Sequence, residues 1–541
     1  MALKVTSNLI GGTELMASPS QKGSGWSCNC FPEHNGKNLF QASMYGLRYL
    51  SGLGITGNVR GVFVPSVGRT TNTRRPDIYV VVEGSLLRVG PTGDVTTISH
   101  NIGTTKARVG FAETGGERAL LLLVDGVNMW YLDLLNGGSL QSITLPQRIS
   151  GYGTIKPTHV AVVGGSIVVN DAGDAGSGYL YYSIAYPLNK AMRKMFVVDS
   201  YHKPTYNPDS IAPVVDDFPA ADHVFEDDYQ VQQFFNGESS SDEVTAIYAL
   251  GSALYVFGPK TVEIWQRGTG EYQTWQRTSY TINAANGIDA PYSVAHSNDT
   301  LFYLAAGEAY GKCCMAVTGT NFSKVSEDWL DEKLMASGLS NTYGFSYSTG
   351  GHTFYVLQLD GIGETWVYDA VEKTWHQRQS RNAAGTPCQW RVQGMAWANG
   401  RFNAFCADGG LYSHMADYFS EDWLDGSTVR SWGITRTRQT SVIVNDYKPF
   451  VFEELSIECN VGEWPENESP EIRLEVSRDG GNTFGNIRTA SLGRGGDYSR
   501  RVRFLNLGMN RLCVIRVSMS WGYDFTMTAS GLRVQPTGAM I

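Results

Sequence analysis

The chain contains 541 residues, of which 61 are glycine, 12% are aromatic and 18% are charged, and its formal net charge is −9. One hydrophobic core rarely supports a chain of this length, so we expect at least two domains. The negative charge argues against a basic surface that grips nucleic-acid phosphates, and the glycine and aromatic content is typical of a turn-rich all-β protein.

The first segment, residues 1–59, is polar and rich in Gly and Asn. It lacks the basic start and apolar stretch of a secretory signal, and no part of the chain has the run of about 20 apolar residues that spans a bilayer. We therefore expect a protein without a membrane span that folds in a cytoplasm. The segment is interpreted as an N-terminal arm that closes or threads through the next domain, or contacts a neighbouring subunit.

Short apolar strand seeds recur along the next part of the chain. They are Ile78–Val82, Ala119–Val124, Val160–Val163, Leu254–Phe257, Leu301–Leu304, Thr353–Leu357 and Phe402–Phe405. Successive seeds lie roughly 40–50 residues apart, the spacing of propeller blades, except for one interval about twice as long. In the units that begin at Val244 and Tyr343, Gly, Pro and Ser turns separate four alternating or apolar runs, which is the pattern of a four-stranded meander. The sequence predicts a six- or seven-bladed β-propeller over residues 60–431.

The double-length interval contains residues 187–242, which we assign to an inserted arm. This segment includes five prolines, and its acidic residues are Asp216, Asp217, Asp222, Glu226, Asp227 and Asp228. Proline suppresses strand pairing and like charges repel, so the segment is expected to leave the scaffold. A solvated loop and an ordered contact arm both fit this composition. The many aromatic residues of the segment favour the contact arm, because aromatic side chains anchor protein interfaces.

The period ends near Trp432. The alternating strands that follow are Ser441–Val444, Phe450–Ile457, Ile472–Val476, Arg501–Phe504, Cys513–Val517 and Phe525–Thr528. Alternation with one apolar face over several strands is typical of two packed antiparallel sheets. We therefore predict a C-terminal β-sandwich over residues 432–541.

The sharpest local motif is Ser477–Phe484, which has the pattern Ser-x-Asp-x-Gly-x-Thr-aromatic of an Asp-box. In this pattern we expect Ser477 and Asp479 to bind turn amides, Gly481 to adopt a positive φ and Phe484 to pack beneath the turn. Asp-boxes recur in sialidases, where they are structural. A single copy outside the repeats is weak evidence for glycan hydrolysis.

Other candidates for a chemical site lack a complete pattern. Cys28, Cys30 and His34 have no second ligand pair at zinc-site spacing, and the eight scattered cysteines are interpreted as reduced thiols. The acidic run Glu327–Lys333 is interpreted as a solvated helical turn, and Gly173–Gly178 as a turn rather than a phosphate loop. We therefore predict no catalytic residue, no cofactor site and no metal site.

Three groups of short motifs follow one another along the chain. The first comprises Asn29–Glu33, Gly46–Leu50, Gly54–Ile55 and Asn58–Val62; the second, Leu254–Trp265, Asn286–Asp289 and Asp299–Tyr303; the third, Leu474–Gly485 and Arg500–Phe504. In order and spacing they resemble the tail hub, or nozzle, proteins of short-tailed bacteriophages, also called packaged-DNA stabilisation proteins. The chain is longer than the shorter members of that family, mainly through residues 187–242.

The resemblance implies a virion tail protein that assembles in the host cytoplasm. It implies a homo-hexameric ring below the portal and adaptor rings, which seals packaged DNA, lines the ejection channel and carries tailspikes, fibres or a needle. Double-stranded DNA would pass through the lumen without sequence-specific binding. The resemblance assigns no contact residue in this chain.

Two functions from different classes remain open on the sequence. The first is the structural tail protein, which needs no catalytic residue. The second is a glycan-binding or glycan-degrading, sialidase-like propeller, which would show several Asp-boxes and an active-site cluster. The single box and the acidic charge favour the tail protein, because a channel that DNA traverses should not hold phosphates tightly.

Overall fold

A computed structural model describes most of the chain. The described residues are 3–5, 25–35, 38–66, 76–103, 107–115, 119–135, 138–148, 153–172, 178–183, 196–198, 204–206, 234–236, 243–268, 275–278, 287–307, 311–336, 338–339, 341–382, 384–444 and 448–536. They form strands throughout, together with the single helix α1 (Asp328–Ala336) and a 3-10 turn (Pro291–Ser293). The prediction of an all-β protein is confirmed. Within these ranges no helix is both long enough and apolar enough to cross a membrane.

The N-terminal arm contributes strands to several sheets. They are β1 (Leu3–Val5), β2 (Trp26–Cys28), β3 (Cys30–Asn35), β4 (Asn38–Ser43) and β5 (Gly46–Gly52). Strands β3 and β4 pair with each other as a hairpin. The other partners of β1, β2, β4 and β5 lie hundreds of residues further along the chain.

The next strands form the first four blades of a propeller. Blade 1 comprises β6 (Val59–Phe63), β7 (Ile78–Val82), β8 (Ser85–Val89) and β9 (Val95–Ser99), and blade 2 comprises β10 (Gly110–Glu113), β11 (Leu120–Val124), β12 (Met129–Asp133) and β13 (Gln141–Ile143). Blade 3 comprises β14 (Val160–Val163), β15 (Ser166–Asn170), β16 (Tyr179–Tyr182) and, after a separate hairpin of β17 (Phe196–Val198) and β18 (Pro204–Tyr206), β19 (Phe234–Asn236). Blade 4 comprises β20 (Ala246–Leu250), β21 (Ala253–Phe257), β22 (Val262–Arg267) and β23 (Trp275–Arg277).

Three further blades complete the ring. Blade 5 comprises β24 (Gly287–Ile288), β25 (Ala295–Ser297), β26 (Thr300–Gly307), β27 (Gly311–Thr318) and β28 (Asn321–Lys324), and blade 6 comprises β29 (Tyr343–Thr349), β30 (His352–Leu359), β31 (Glu364–Asp369) and β32 (Thr374–Arg381), with β33 (Pro387–Gln389) added to β32. Blade 7 comprises β34 (Val392–Ala398), β35 (Arg401–Cys406), β36 (Gly410–Met415) and, as its outer strand, β5 of the arm. The described residues therefore form seven blades.

Each of the seven strand seeds lies in a different blade, which explains their spacing. The residues of β7 and β11 are all buried, because the middle strands of a blade are covered by the blades on both sides. Six of the seeds belong to the second strand of their blades, whereas Val160–Val163 is the inner strand of blade 3. The interval between the seeds of blades 3 and 4 is therefore long for two reasons. It includes the insertion, and it runs from the first strand of one blade to the second strand of the next.

The insertion leaves and re-enters blade 3 between β16 and β19. Phe234–Asn236, which the sequence assigns to the inserted arm, pairs antiparallel with β16 as the outer strand of that blade. Phe235 stacks on Trp275 with ring centroids 5.2 Å apart, so this aromatic residue belongs to the propeller and is not a free contact anchor. The expectation that this part of 187–242 leaves the scaffold is wrong. Apart from β17 and β18, the rest of the segment lies outside the described residues.

The remaining strands form two packed sheets and a hairpin that extends blade 7, because the first strand of this hairpin pairs parallel with β5. The hairpin comprises β37 (Ser420–Asp425) and β38 (Thr428–Gly433), and the sheets use β39 (Arg436–Gln439), β40 (Ile443–Val444), β41 (Phe450–Asn460), β42 (Glu471–Ser477), β43 (Arg488–Ser491), β44 (Ser499–Asn510), β45 (Leu512–Met519) and β46 (Thr526–Pro536). One sheet has the order β3-β4-β46-β41-β44, and the other contains β39-β45-β42-β43. The core between them includes Phe452, Leu474 and Ile515.

The two domains are joined by one continuous sheet. Strand β2 pairs parallel with β32 of blade 6 and antiparallel with β39 of the sandwich. Asn29, which follows β2 with a φ of 56°, donates from Nδ2 to the carbonyls of Gln379 and Thr435 at 3.0 and 2.8 Å. The arm therefore fixes the sandwich against the propeller. The domain boundaries at 59/60 and 431/432 stay predictions.

Closure of the ring can be tested at Gly46. A Cβ at this position would lie 1.9 Å from the carbonyl oxygen of Ser420, and backbone cannot move aside cheaply. We expect Gly46→Ala to lower the free energy of unfolding by at least about 1–3 kcal/mol, the usual cost of overpacking, through loss of β5 from blade 7. The measurement is thermal melting, with Gly115→Ala as the control, because nothing lies within 4 Å of a Cβ there. Equal melting of both variants would contradict the closure.

Candidate interaction surfaces

The inner strands of all seven blades surround an axial cavity of about 560 Å³. At one side of it Arg108 donates from Nη2 to the carbonyl of Gln393 at 2.7 Å and lies 3.3 Å from the ring centroid of Tyr343. Burial lowers the pKa of Arg108. His159 stacks on Tyr292 at 4.8 Å, and burial lowers its pKa to about 4, so it is neutral at pH 7. The cavity has the size of a small-molecule pocket.

A second concave surface lies where the propeller meets the sandwich, and we name it the junction cleft. Its volume is about 220 Å³. Its lining residues come from the arm, blade 6, the hairpin β37–β38 and the sandwich, and they include Trp26, Asn29, Gln379, Arg381, Arg391, Glu421, Trp423, Trp432, Thr435, Arg473, Glu475, Arg516, Ser518 and Ser520. Because β2 carries blade 6 into the sandwich, the lining residues on β32, β2, β39, β45 and β42 belong to one continuous sheet. Arg391 and the residues of the hairpin β37–β38 border that sheet.

Two of the four arginines of the cleft have carboxylate partners. Arg391 pairs with Asp408 at 2.8 Å, and Arg516 lies 3.9 Å from Glu475. Arg381 donates to neutral groups, with its Nε 3.0 Å from the hydroxyl of Thr435. Arg473 is exposed and has neither a hydrogen bond nor an ion pair with any other part of the chain that the structure describes. The cleft therefore presents two cations without a counter-charge.

A buried polar cluster lies between blades 6 and 7 and the arm. Arg378 donates from Nη2 to the carbonyl of Tyr45 at 3.0 Å and lies 4.6 Å from the ring of Trp390, but its Nε and Nη1 have no partner among the described residues. The ring nitrogens of His376 and His414 also lack partners there. Burial and the charge of Arg378 lower the pKa of each histidine to about 3. Both imidazoles are therefore neutral at pH 7.

The Asp-box forms the expected turn. Asp479 accepts hydrogen bonds from the amide of Thr483 at 2.9 and 3.0 Å, and the hydroxyl of Ser477 accepts one from the amide of Gly481 at 2.8 Å. The hydrogen bonds to Asp479 hold its pKa well below its usual range. Gly481 has a φ of 96°, and Arg516 lies 3.5 Å from the ring centroid of Phe484. The prediction of a structural turn is confirmed.

The other residues singled out in the sequence do not form a site. Cys28 and Cys30 are buried, and burial raises the pKa of both thiols, whereas His34 is exposed and pairs with Glu372 at 2.5 Å. All eight cysteines are free thiols. No group of three or more His, Cys, Asp or Glu side chains in the described ranges could hold a metal ion. Gly173–Gly178 lies largely outside those ranges.

The run Glu327–Lys333, which the sequence analysis interpreted as a solvated helical turn, is partly buried in the structure. It lies at the start of helix α1, whose Leu330 and Leu334 are fully buried in the core that blades 5 and 6 share. Trp329 makes an edge contact with Trp366, with ring centroids 4.6 Å apart. The segment is thus an amphipathic helix packed on the propeller, and a solvated turn was the wrong interpretation.

Sequence reasoning did not find the junction cleft. Its cations, Arg381, Arg391, Arg473 and Arg516, lie far apart in the chain and belong to no motif. Only the pairing of β2 with both β32 and β39 brings Arg381, Arg473 and Arg516 into one sheet, beside which Arg391 lies.

Comparison with known proteins identifies the family. A family model described as bacteriophage P22 Gp10, beta-propeller, matches residues 221–410, and one described as bacteriophage P22 Gp10, beta-sandwich, matches residues 435–535. The chain belongs to the bacteriophage P22 Gp10 family. No curated protein matches the sequence.

Membership of the P22 Gp10 family confirms the main predictions. The fold is a β-propeller with a C-terminal β-sandwich, as predicted, and the chain is a structural protein of a bacteriophage tail. The family consists of structural tail proteins, which confirms the prediction that the chain is not an enzyme. The expected resemblance to tail hub proteins is likewise confirmed.

Solved structures with similar folds are distant. A streptogramin B lyase shares 12% identity at a TM-score of 0.37, over 68% of this chain and 97% of that one. The N-terminal domain of Nup159 shares 8% identity at a TM-score of 0.35, over 72% of this chain and 98% of that one. YCF48 bound to D1 peptide shares 11% identity at a TM-score of 0.35, over 69% of this chain and 98% of that one. At these scores the similarities carry no inference about function.

The buried histidines predict acid sensitivity. Because the folded-state pKa of His376 and His414 lies below the value of about 6.5 of a free histidine, the unfolded chain takes up protons first as pH falls. Stability should stay level above pH 6.5 and decline between about pH 6.5 and 3, by about 2 kcal/mol per histidine at pH 5. We expect His376→Gln and His414→Gln each to flatten the dependence of melting temperature on pH. An unchanged slope below pH 6.5 would contradict the prediction.

The Asp-box predicts a local effect on stability. Replacing Asp479 by Ala removes the acceptor for the Thr483 amide, so the sandwich should melt at a lower temperature while the propeller keeps its own transition. The measurement is calorimetry of the purified chain, with Glu466→Ala, which removes an exposed carboxylate of the same domain, as the control. Unchanged melting together with complete loss of partner binding would identify the turn as a contact site instead.

Proposed function

We propose that this chain is the hub or nozzle of a short phage tail. In this proposal six copies form a ring below the portal and adaptor rings, seal packaged DNA, line the ejection channel and anchor tailspikes, fibres or a needle. Membership of the P22 Gp10 family supports the tail assignment. The ring, its partners and assembly in the host cytoplasm are the proposed steps.

The observation that carries the proposal is the exposed strand β38 of the hairpin β37–β38. In β38 the five residues from Thr428 to Trp432 are all exposed, and in the described part of the chain this strand pairs only with β37. Val429 is 43% exposed and Trp432 is 36% exposed. A monomer normally protects such an edge, because its free amides and carbonyls pair with other chains. An uncovered strand that also carries apolar side chains suits a contact made in an assembly.

The size of the axial cavity decides where DNA would run. A cavity of about 560 Å³ that side chains of seven strands surround does not admit a DNA duplex. DNA would therefore cross the space between copies, and not the axis of one propeller. The net charge of −9 suits such a lumen, since a surface without a strong positive potential lets phosphates slide past.

The alternative of a glycan-degrading propeller lacks support. The Asp-box turn lies in the sandwich, between β42 and β43, away from the axial cavity where propeller enzymes would bind substrate. The family result points to a structural role.

Formation of the ring can be tested by measuring the mass of the assembled particles. We expect the purified chain to form particles of six protomers by mass photometry, visible as rings by electron microscopy, alone or on portal–adaptor complexes. Val429→Lys should shift the population toward monomers by placing a charge on the contact edge, whereas Val127→Lys, which is equally exposed in blade 2, serves as the control. A chain that stays monomeric at all concentrations, also with portal and adaptor present, would overturn the proposal.

A further inference from the structure

We propose that the junction cleft of one copy binds the acidic stretch of the inserted arm of a second copy. This stretch comprises Asp216, Asp217, Asp222, Glu226, Asp227 and Asp228. The inference rests on the proposed ring and names the two parts of the chain that would close it.

The positive charge of the cleft favours the binding of an anionic segment. Arg473 has no partner in the described ranges, and Arg381 donates only to neutral oxygens, those of Thr435, Ser520 and Gly385. Guanidinium groups bind carboxylates through paired hydrogen bonds that are stronger than those to hydroxyls. Ser518 and Ser520 add hydroxyl donors at the floor of the cleft.

The two arginines also face one another as like charges. Burial and the charge of Arg473 both lower the pKa of Arg381. A carboxylate placed between them would replace this repulsion by two attractions. Carboxylates of the cleft itself do not fill this role, because Glu475 lies next to Arg516 and Glu421 accepts from the indole of Trp390 at 3.2 Å.

The walls of the cleft suit a peptide with aromatic residues. Trp26, Trp423 and Trp432 line it, and Trp432 is partly exposed. The acidic stretch alternates carboxylates with Phe218, Phe225 and Tyr229. Aromatic anchors within a polar rim are the usual source of affinity at protein interfaces.

The strands that anchor the inserted arm lie far from the cleft around the propeller, which favours binding between copies. The inserted arm leaves blade 3 after β16 and returns at β19. The cleft lies beside blades 6 and 7, which in a ring of seven are the two blades farthest from blade 3. An interface between two different parts of the chain is heterologous, and such interfaces generate closed rings when the rotation closes. The same contact within one chain would leave both surfaces unused for assembly.

Charge reversal tests the contact in both directions. Arg473→Glu removes the net positive charge of the cleft lining and places a carboxylate beside Arg381. Asp227→Lys with Asp228→Lys places two cations in the acidic stretch. We expect each variant alone to lose rings, with the concentration needed for half-assembly raised about tenfold or more, as for a paired charge at an interface. An equimolar mixture of the two should recover rings, because each reversed cleft then meets a reversed arm on its neighbour. Arg511→Glu and Asp209→Lys, exposed or outside the acidic stretch, are the matched controls and should assemble as the parent does.

The outcomes separate this inference from the proposed ring. If the parent chain forms no ring, the proposed function fails, and the inference fails with it. If the parent forms rings and Arg473→Glu keeps them with unchanged affinity, the cleft is not the contact and the inference alone is overturned. If both variants lose rings but the mixture does not recover them, the arm does not bind the cleft of a neighbour, and the inference is again overturned. Equal melting temperatures of Arg473→Glu and the parent establish that the variant is folded.

Discussion

The arm between Trp26 and Gly52 is the segment on which the other parts of the structure depend. Its last strand, β5, completes blade 7, and its first strand, β2, joins blade 6 to the sandwich. A propeller buries the faces of each blade only against neighbouring blades, so an incomplete seventh blade would expose the cores of blades 1 and 6 as well. Residues at the beginning of the chain must therefore meet residues near 415 before the ring is closed, which is a contact of high loop-closure entropy.

The same arm explains the unusual polar groups at the junction. Arg378, His376 and His414 are buried where the arm, blade 6 and blade 7 meet, and several of their nitrogens lack partners in the part of the chain that the structure describes. A polar group buried in this way costs free energy, and a buried charge costs more. The surrounding apolar core, which includes Phe31, Phe354 and Trp390, offsets this cost. The junction is thus stable near neutral pH and carries a built-in sensitivity to acid.

A rigid junction matters for a protein that works as a building block. One sheet runs from blade 6 through β2 into the sandwich and positions Arg381, Arg473 and Arg516 of the junction cleft. The pairing of β37 with β5 positions the hairpin β37–β38 on blade 7. Preformed surfaces bind with a smaller loss of conformational entropy than flexible ones. Assembly through such surfaces fits a structural role, in which the protein binds its neighbours in a fixed arrangement and catalyses no reaction.

The sequence by itself determined the blades and the class of the C-terminal domain. The period of the seeds follows from the repeated need to bury both faces of a blade, and alternation in β41 and β42 follows from one buried face; both are local properties. The Asp-box turn was equally local, since Ser477, Asp479 and Thr483 contact one another within a few residues. Three features became visible only in the tertiary structure. They are the identity of the strand that closes blade 7, the burial of α1 and the existence of the junction cleft. These features depend on pairings such as Cys28 with Gln377 and Thr437, and no local pattern records which distant strand edge a three-residue strand will meet.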